Sequence, residues 1–480
     1  MRLNAHRWAI IGAGITGLSA AETIRRLAPH DEVRVFEAAE RCGGVLQTER
    51  LDDGWLIEHA ADMFATQVPD ALQLSARCGI DKELLQPQDG DRRAFVVWKN
   101  RLIPVPSGFV LMRPTSLMGV LTTPLLSIGG KLRLLSEAFV PRRKEQHDES
   151  VASFVRRRMG QEVLERLIQP LVGGIYTADP ERLSMAATMR PFQEMEQSHG
   201  SLLRAAWHDT RLRAQAVSGA RYDLFRAPRW GMQQLVDAVR AQLPSEWIRL
   251  NTPVESVRID SGSRWLIQPR GSTEESFDRL VLTVPSHRAA QLLAPTSAAL
   301  AEELAAIPHA SSAVVAIGLR LSDFSRPLPG FGCVVPHAAK RPILAISCTS
   351  RKFEGRAPEG SVLLRIFFGG ALQPEWADAS DDRLVATACG ELRSLLGYSG
   401  TPLWARVLRW HHAMPQYEVG HLERVARIRL FEAGLPGLAL AGAAYDGVGV
   451  PLCIHSAETQ VRRLLSSDGI TPLRKEPETA

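Results

Sequence analysis

The chain has 480 residues, 45% hydrophobic and 23% charged, with a mean hydropathy of -0.07; this describes a globular protein of about two to four lobes and excludes a disordered or fibrous chain. No uninterrupted apolar run reaches the ~18 residues of a spanning helix, and the start MRLNAHRWAIIGAG lacks the ~7–15-residue apolar core of a signal peptide. The net charge is +5, and residues 91–227 alone hold 21 Lys and Arg against 13 Asp and Glu. Solvated helix faces, an anionic substrate or an anionic membrane surface each fit that central excess, and no nucleic-acid-binding motif accompanies it.

Residues 8–11 read as a buried strand running into Gly12-Ala13-Gly14-Ile15-Thr16-Gly17. Residues 18–27 follow as a helix and 33–37 as the next strand. This is a βαβ unit with G-x-G-x-x-G at its first turn, the pattern of a dinucleotide site. Gly12 permits the tight turn, Gly14 lets backbone N–H groups approach a pyrophosphate, and Gly17 lets the helix pack close to the sheet. The helix N-terminus stabilises the phosphate charge. Glu37, 20 residues past Gly17, stands where a carboxylate accepts hydrogen bonds from an adenosine ribose and repels a 2′-phosphate. The motif continues through Ala38 and Arg41 to Gly43-Gly44 and Val45. The second glycine pair lets another loop pass near the pyrophosphate, with Arg41 beside it to neutralise charge. Nicotinamide dehydrogenases do not usually carry this extension. It resembles the flavin amine oxidase superfamily, where it helps bind FAD.

Residues 45–88 mix strand and helix patterns. Residues 92–106 read as a hairpin turning at Lys99-Asn100. Residues 107–227 are mainly helical; 150–167 place apolar residues at helical spacing, with Asp148 or Ser150 as cap. A short helix over 230–243 precedes strands near 254–259, 265–268 and 279–284, and strand-like runs alternate with Pro/Gly breaks over 310–370. A strand at 438–441, a glycine turn and a helix over 454–465 follow, and the polar tail 471–480 reads as flexible. Six scattered cysteines (Cys42, Cys78, Cys333, Cys348, Cys389, Cys453) include no C-x-x-C pair. They indicate neither a zinc site nor a disulfide framework and suit the reducing cytosol.

Several stretches together resemble the bacterial and organellar protoporphyrinogen oxidases, including the coproporphyrinogen oxidases. They are GAGITGLSAAE, EAAERCGG, LTTPLLSIGGKLR, DESVASFVRRRMG, LVGGIYTADPERLSM, EQSHGSLLR, AMPQYEVGHLERV and LAGAAYDGVGVPLCI, spread from residue 12 to 454. The opening motif is common to many flavoproteins; the middle stretches and YDGVGVPLCI are far more specific. The resemblance implies an α/β fold in which a Rossmann-type FAD-binding domain (1–90, 228–290, 408–470) is interleaved with an α+β substrate domain (91–112, 291–407). A helical membrane-binding insert (113–227) completes it. It implies FAD contacts at Val254, Trp410, Val448, Gly449 and Val450 beyond the first motif, and removal of six electrons from a porphyrinogen, with oxygen the usual acceptor. The flavin carries the hard chemistry, so no Ser-His-Asp or metal constellation is needed and no general base is nominated. Cys453 reads as a small buried residue rather than a covalent flavin anchor.

Two departures stand out. Relatives commonly carry Gly-Pro after the third strand, where this chain has Glu58-His59-Ala60-Ala61-Asp62-Met63; the methyl groups put the flavin contact at Ala60, Ala61, Asp62 and Met63 in question. Relatives also place a substrate-binding arginine near the start of the hairpin. The matching register falls on Ala94, leaving Arg93 as the candidate. Another flavin amine oxidase or a carotenoid desaturase shares the opening motif but not the middle stretches. A flavin-binding protein without turnover is supported only by the altered 58–62 loop. A single dinucleotide site, filled by FAD, makes oxygen or a quinone the expected acceptor rather than NAD. Residues 110–135, apolar but interrupted by Arg113, prolines and Gly129-Gly130, suit a membrane-surface segment or a helical wall of the substrate cavity.

Overall fold

The computed structural model describes residues 5–466 apart from 89–91, 111, 115, 146, 209–223 and 329; the tail at 471–480 lies outside the described residues. The strand Arg7–Ile11 sits centrally in a five-stranded parallel sheet. Glu32–Phe36 and Ile248–Arg249 extend it on one side, and Arg279–Leu282 and Leu438–Leu440 on the other. Its unbroken apolar run reflects coverage of both faces. Trp8 and Ile10 pack against the helices Ile15–Leu27, Met232–Ala241 and Val450–Ser466, through Leu18, Leu235 and Ile454 among others. Ala9 and Ile11 face Val257, Trp265 and Ile267 of a three-stranded antiparallel sheet. Strands from the first and last parts of the chain therefore share one sheet.

A second, seven-stranded sheet runs in the order Trp404–Pro415, His309–Arg320, Ser361–Gly369, Ala345–Cys348, Gly332–Val334, Ala94–Trp98, Arg101–Pro104. The last two form the hairpin, with Lys99 and Asn100 at φ 50° and 58°, the backbone of a two-residue type I′ turn. One sheet face, with Leu364, Ile366 and Phe368, packs on the helix Asp381–Leu396. The other, with Val314, Ala316 and Leu408, packs on Ile57 of the first unit. The single strand Trp404–Pro415, with a bulge near His412, spans the boundary expected at 408.

The helical layer is more broken than its periodicity suggests. Ser150 caps the helix Val151–Arg158 by accepting the Ser153 N–H. Gly160, at φ +96°, then stops it, and a π turn over Leu164–Ile168 leads into Gln169–Tyr176. A Cβ on Gly160 would stand 2.6 Å from Arg133 Cγ, so the break lets Arg133 reach the carbonyls of Arg157 (2.5 Å) and Arg158 (3.0 Å). Among the described residues no helix is long and apolar enough to cross a membrane.

Candidate functional site

The glycine loop has the geometry of a phosphate cradle. A Cβ on Gly17 would lie 1.9 Å from Gly12 O, and one on Gly12 would lie 2.9 Å from Thr283 Oγ1, so both positions are closed by packing. Thr283 donates to the carbonyls of Ile11 and Gly12 (both 2.9 Å) and fixes the turn. At Gly14, by contrast, a Cβ would meet no protein atom within 4 Å. Gly14 is the N-cap of the Ile15–Leu27 helix, with no side-chain cap. The helix thus presents its N-terminus to open space, where backbone N–H groups and the helix dipole favour an anion.

Glu37 follows the second strand directly. Its carboxylate accepts from Ala13 N (2.7 Å) and Ala39 N (2.9 Å), which leaves lone pairs for ribose hydroxyls. The second glycine pair does approach the first: Gly43 N donates to Ala13 O (2.8 Å), Gly43 pairs with Gly14, and a Cβ on Gly44 would stand 3.4 Å from Gly14 Cα. Arg41 is engaged differently from the sequence expectation. Its guanidinium donates to the carbonyls of Cys42, Leu46 and Gly44 and closes its own loop. Ala38 and Val45 are exposed at the rim. Thr252 N donates to Glu37 O (2.7 Å) and Asn251 N to Ala39 O (2.9 Å), which ties the segment leading to the buried Val254 to the Glu37 loop.

At the far end, Gly442, Gly447 and Gly449 all have φ near or above +118° and lead into the helix Val450–Ser466. That helix starts a turn earlier than its periodicity suggests. Pro451, lacking an N–H, is tolerated in the first turn. Val448 packs on the helical layer and Val450 on the first unit, so the turn is a junction. Ser456 Oγ accepts from Gly442 N (3.0 Å), and Arg429 pairs with Asp446 (2.9 Å). A Cβ on Gly442 would lie 3.7 Å from Thr16 Oγ1, so the turn meets the opening glycine loop. Burial pushes the Cys453 thiol up to about 11, and it is a free cysteine.

Trp410 Nε1 donates to His59 O (2.8 Å) and so joins the seven-stranded sheet to the 58–63 stretch. Ala60 and Ala61 are not among the residues with positive φ, so alanine imposes no backbone strain there. Lys352 and Arg365, which no local motif announces, hold the stretch from the sheet: Lys352 Nζ lies 3.4 Å and Arg365 Nη1 3.6 Å from Asp62 Oδ2, and Arg365 also donates to Ala60 O. Met63 packs on Leu85, Ala227 and Phe353. Arg93 lies just before the strand Ala94–Trp98. Its guanidinium sits 5.6 Å over the Phe95 ring, and Phe95 belongs to the core on the sheet face turned away from the first unit.

Glu58 ends the strand Leu56–Glu58 and has 0% exposure. Burial pushes its carboxyl up to about 7, against the hydrogen bonds it accepts from Met232 N and Thr48 Oγ1. A carboxyl that binds its proton more tightly when folded stabilises the protein fully below pH 4.5 and loses that contribution as pH rises through 7. The loss amounts to about 3 kcal/mol. Denaturant unfolding of wild type and Glu58→Gln at pH 4.5 and 8 is expected to show the wild type losing stability relative to the variant as pH rises. Parallel pH profiles would contradict this.

The model of the family described as Flavin containing amine oxidoreductase matches residues 15–465. The chain is 33% identical to the coproporphyrinogen III oxidase of Bacillus subtilis (strain 168), covering 97% of this chain and 98% of that protein. It is also 33% identical to the chloroplastic protoporphyrinogen oxidase of Nicotiana tabacum, over 93% and 83% respectively. A crystal structure from Exiguobacterium sp. 255-15, assigned as a protoporphyrinogen oxidase, superposes with a TM-score of 0.86 at 29% identity, covering 97% of this chain and 100% of that one.

Proposed function

We infer the reaction from the family: the chain belongs to the flavin-containing amine oxidoreductases, and within them to the protoporphyrinogen and coproporphyrinogen oxidases, and is an FAD-dependent oxidase. We propose that it oxidises a porphyrinogen, coproporphyrinogen III or protoporphyrinogen IX, to the porphyrin of haem biosynthesis. Six electrons pass to oxygen, giving about three hydrogen peroxide per porphyrin. The observation that carries this reading is the closed-and-open glycine cradle with its ribose carboxylate, found in a chain that aligns along nearly its whole length with proteins of both names.

Bound FAD supplies a two-electron acceptor for hydride leaving a methylene whose neighbouring pyrroles stabilise the cation. The chain orients and excludes. The opening glycine loop and the Ile15–Leu27 helix N-terminus hold the pyrophosphate, and Glu37 holds the ribose. Val254, Trp410, the Ala60–Met63 stretch and Val448, Gly449 and Val450 bound the flavin. The N-terminus of Val450–Ser466 would lend partial positive charge to a reduced flavin held against it. The test is aerobic incubation with each porphyrinogen, followed by porphyrin fluorescence and peroxide. Porphyrin formed from one or both, with matching peroxide, is expected; none from either would overturn the reading.

The same reading includes a site on an anionic membrane surface. Met118, Leu121, Ile128, Leu132 and Phe139 are all exposed, Ile128 at 80% and Phe139 at 83%. Lys131 and Arg133 lie among them, a combination of apolar contact and charge attraction that suits peripheral binding. Wild type is expected to co-sediment with anionic vesicles at low salt, and the double variant Ile128→Asp, Phe139→Asp to remain in solution. Wild type that stays in solution would remove the membrane role.

A further inference from the structure

We propose that Lys352, Arg365 and Asp62 are positioning residues that hold residues 59–62 beside the bound cofactor, and that their surplus positive charge raises its reduction potential. The proposal rests on the FAD reading above and adds Lys352 and Arg365, which that reading leaves unused.

Residues 59–62 hang from contacts distant in sequence. His59 N donates to Gln47 O (2.9 Å), while His59 O accepts from Trp410, Ala60 O accepts from Arg365, and Asp62 faces Lys352 and Arg365. Trp410, Arg365 and Lys352 lie 351, 305 and 290 residues from their partners. All three come from the seven-stranded sheet or the Thr349–Lys352 helix joining two of its strands. The stretch has neither a glycine φ nor a proline to fix its course. Bonds across the unit boundary therefore set its shape, where a Gly-Pro would do so locally.

The charges do not cancel. Two cations face one carboxylate, and the side chains of Lys352, Arg365 and Asp62 are 11%, 2% and 11% exposed. Burial works against the Asp62 carboxylate, yet Lys352 and Arg365 hold it below the usual carboxylate range, so it counts as a full negative charge. Arg365 Nε has no hydrogen-bond partner among the described residues. Arg356 adds a further buried cation whose guanidinium hydrogen bonds go to the carbonyls of Pro228 and Arg229. Its carboxylate neighbours are Glu58, only partly ionised near neutrality, and more weakly Asp62 and Glu354, the last of which pairs with Arg229. In a medium of low dielectric this excess acts over several ångströms. Reduction adds negative charge to the cofactor, so a fixed positive excess behind the 59–62 stretch favours the reduced form.

The test measures the two-electron midpoint potential of FAD in the holoprotein for wild type, Lys352→Met and Asp62→Asn. Removing the lysine is expected to lower the potential and removing the aspartate to raise it. Each shift is about tenfold in the oxidised-to-reduced equilibrium, or about 30 mV. Opposite signs are the signature of charge, since a purely structural latch gives no such pairing. Arg365→Lys keeps the charge but loosens the Ala60 bond, and should speed FAD release while leaving the potential near wild type. If Asp62→Asn does not fold, Lys352→Met decides alone. An unchanged or raised potential there, or shifts of the same sign in both variants, overturns the proposal. Wild type that binds no FAD would instead defeat the functional reading.

Discussion

Gly14→Val is expected to strip the protein of FAD while leaving the apoprotein folded. The reason is the asymmetry of the cradle: Gly12 and Gly17 face protein atoms at 2.9 and 1.9 Å from a Cβ, whereas Gly14 faces none within 4 Å. A valine there fills the space over the helix N-terminus and screens the N–H groups that a pyrophosphate needs. Its backbone φ is negative, at -67°, so the side chain adds little strain to the fold. The expected loss is about 3 kcal/mol or more of FAD binding, roughly a hundredfold in Kd. Thermal unfolding of the two apoproteins should agree closely. Gly17→Ala should do the opposite damage and fail to fold, because its methyl group meets the Gly12 carbonyl. Unchanged FAD occupancy in Gly14→Val would contradict the cradle assignment.

Arg158→Met is expected to destabilise the helical layer by about 3–5 kcal/mol. Arg158 and Glu137 are both 0% exposed and paired, and Arg158 also reaches Glu196 Oε1 at 3.2 Å. Its Nη1 bonds Val140 O (3.1 Å) and its Nη2 bonds Gly200 O (3.0 Å). Glu137 in turn accepts from Ser201 Oγ, Leu202 N and Leu203 N and so caps the helix Leu202–His208. Removing the guanidinium leaves two buried carboxylates underpaired, and methionine offers volume without a donor. Chemical denaturation followed by circular dichroism would measure the loss. A change below about 1 kcal/mol would mean that Arg157, which also pairs with Glu196, carries the cluster instead.

The parts legible in the sequence were those whose physics is local. The strand, glycine turn and helix of the opening unit, the spacing to Glu37 and the Lys99-Asn100 turn are each fixed by neighbours a few residues away. The parts that were not legible depend on residues brought together by topology. Nothing near Arg365 announces that it bonds Ala60, 305 residues earlier. Arg41 read as a phosphate neighbour because its charge was visible and its three carbonyl partners were not. Arg93 is a candidate by proximity in sequence alone, and its contact with the Phe95 ring is not written in any local motif. The helical periodicity over 150–167 was real, but Gly160 with a positive φ interrupts it. The backbone at Ala60 and Ala61 has no positive φ, so no glycine conformation is needed there, a fact the residue types alone do not show.

In the proposed function, electrons pass from a porphyrinogen to FAD held in this cradle. Anaerobic mixing of the holoprotein with coproporphyrinogen III, and separately with protoporphyrinogen IX, tests it most directly, because it needs neither oxygen nor turnover. The flavin absorbance is expected to bleach as porphyrin absorbance rises with at least one of them, and to return when oxygen is admitted. A flavin that stays oxidised with both porphyrinogens would contradict the account.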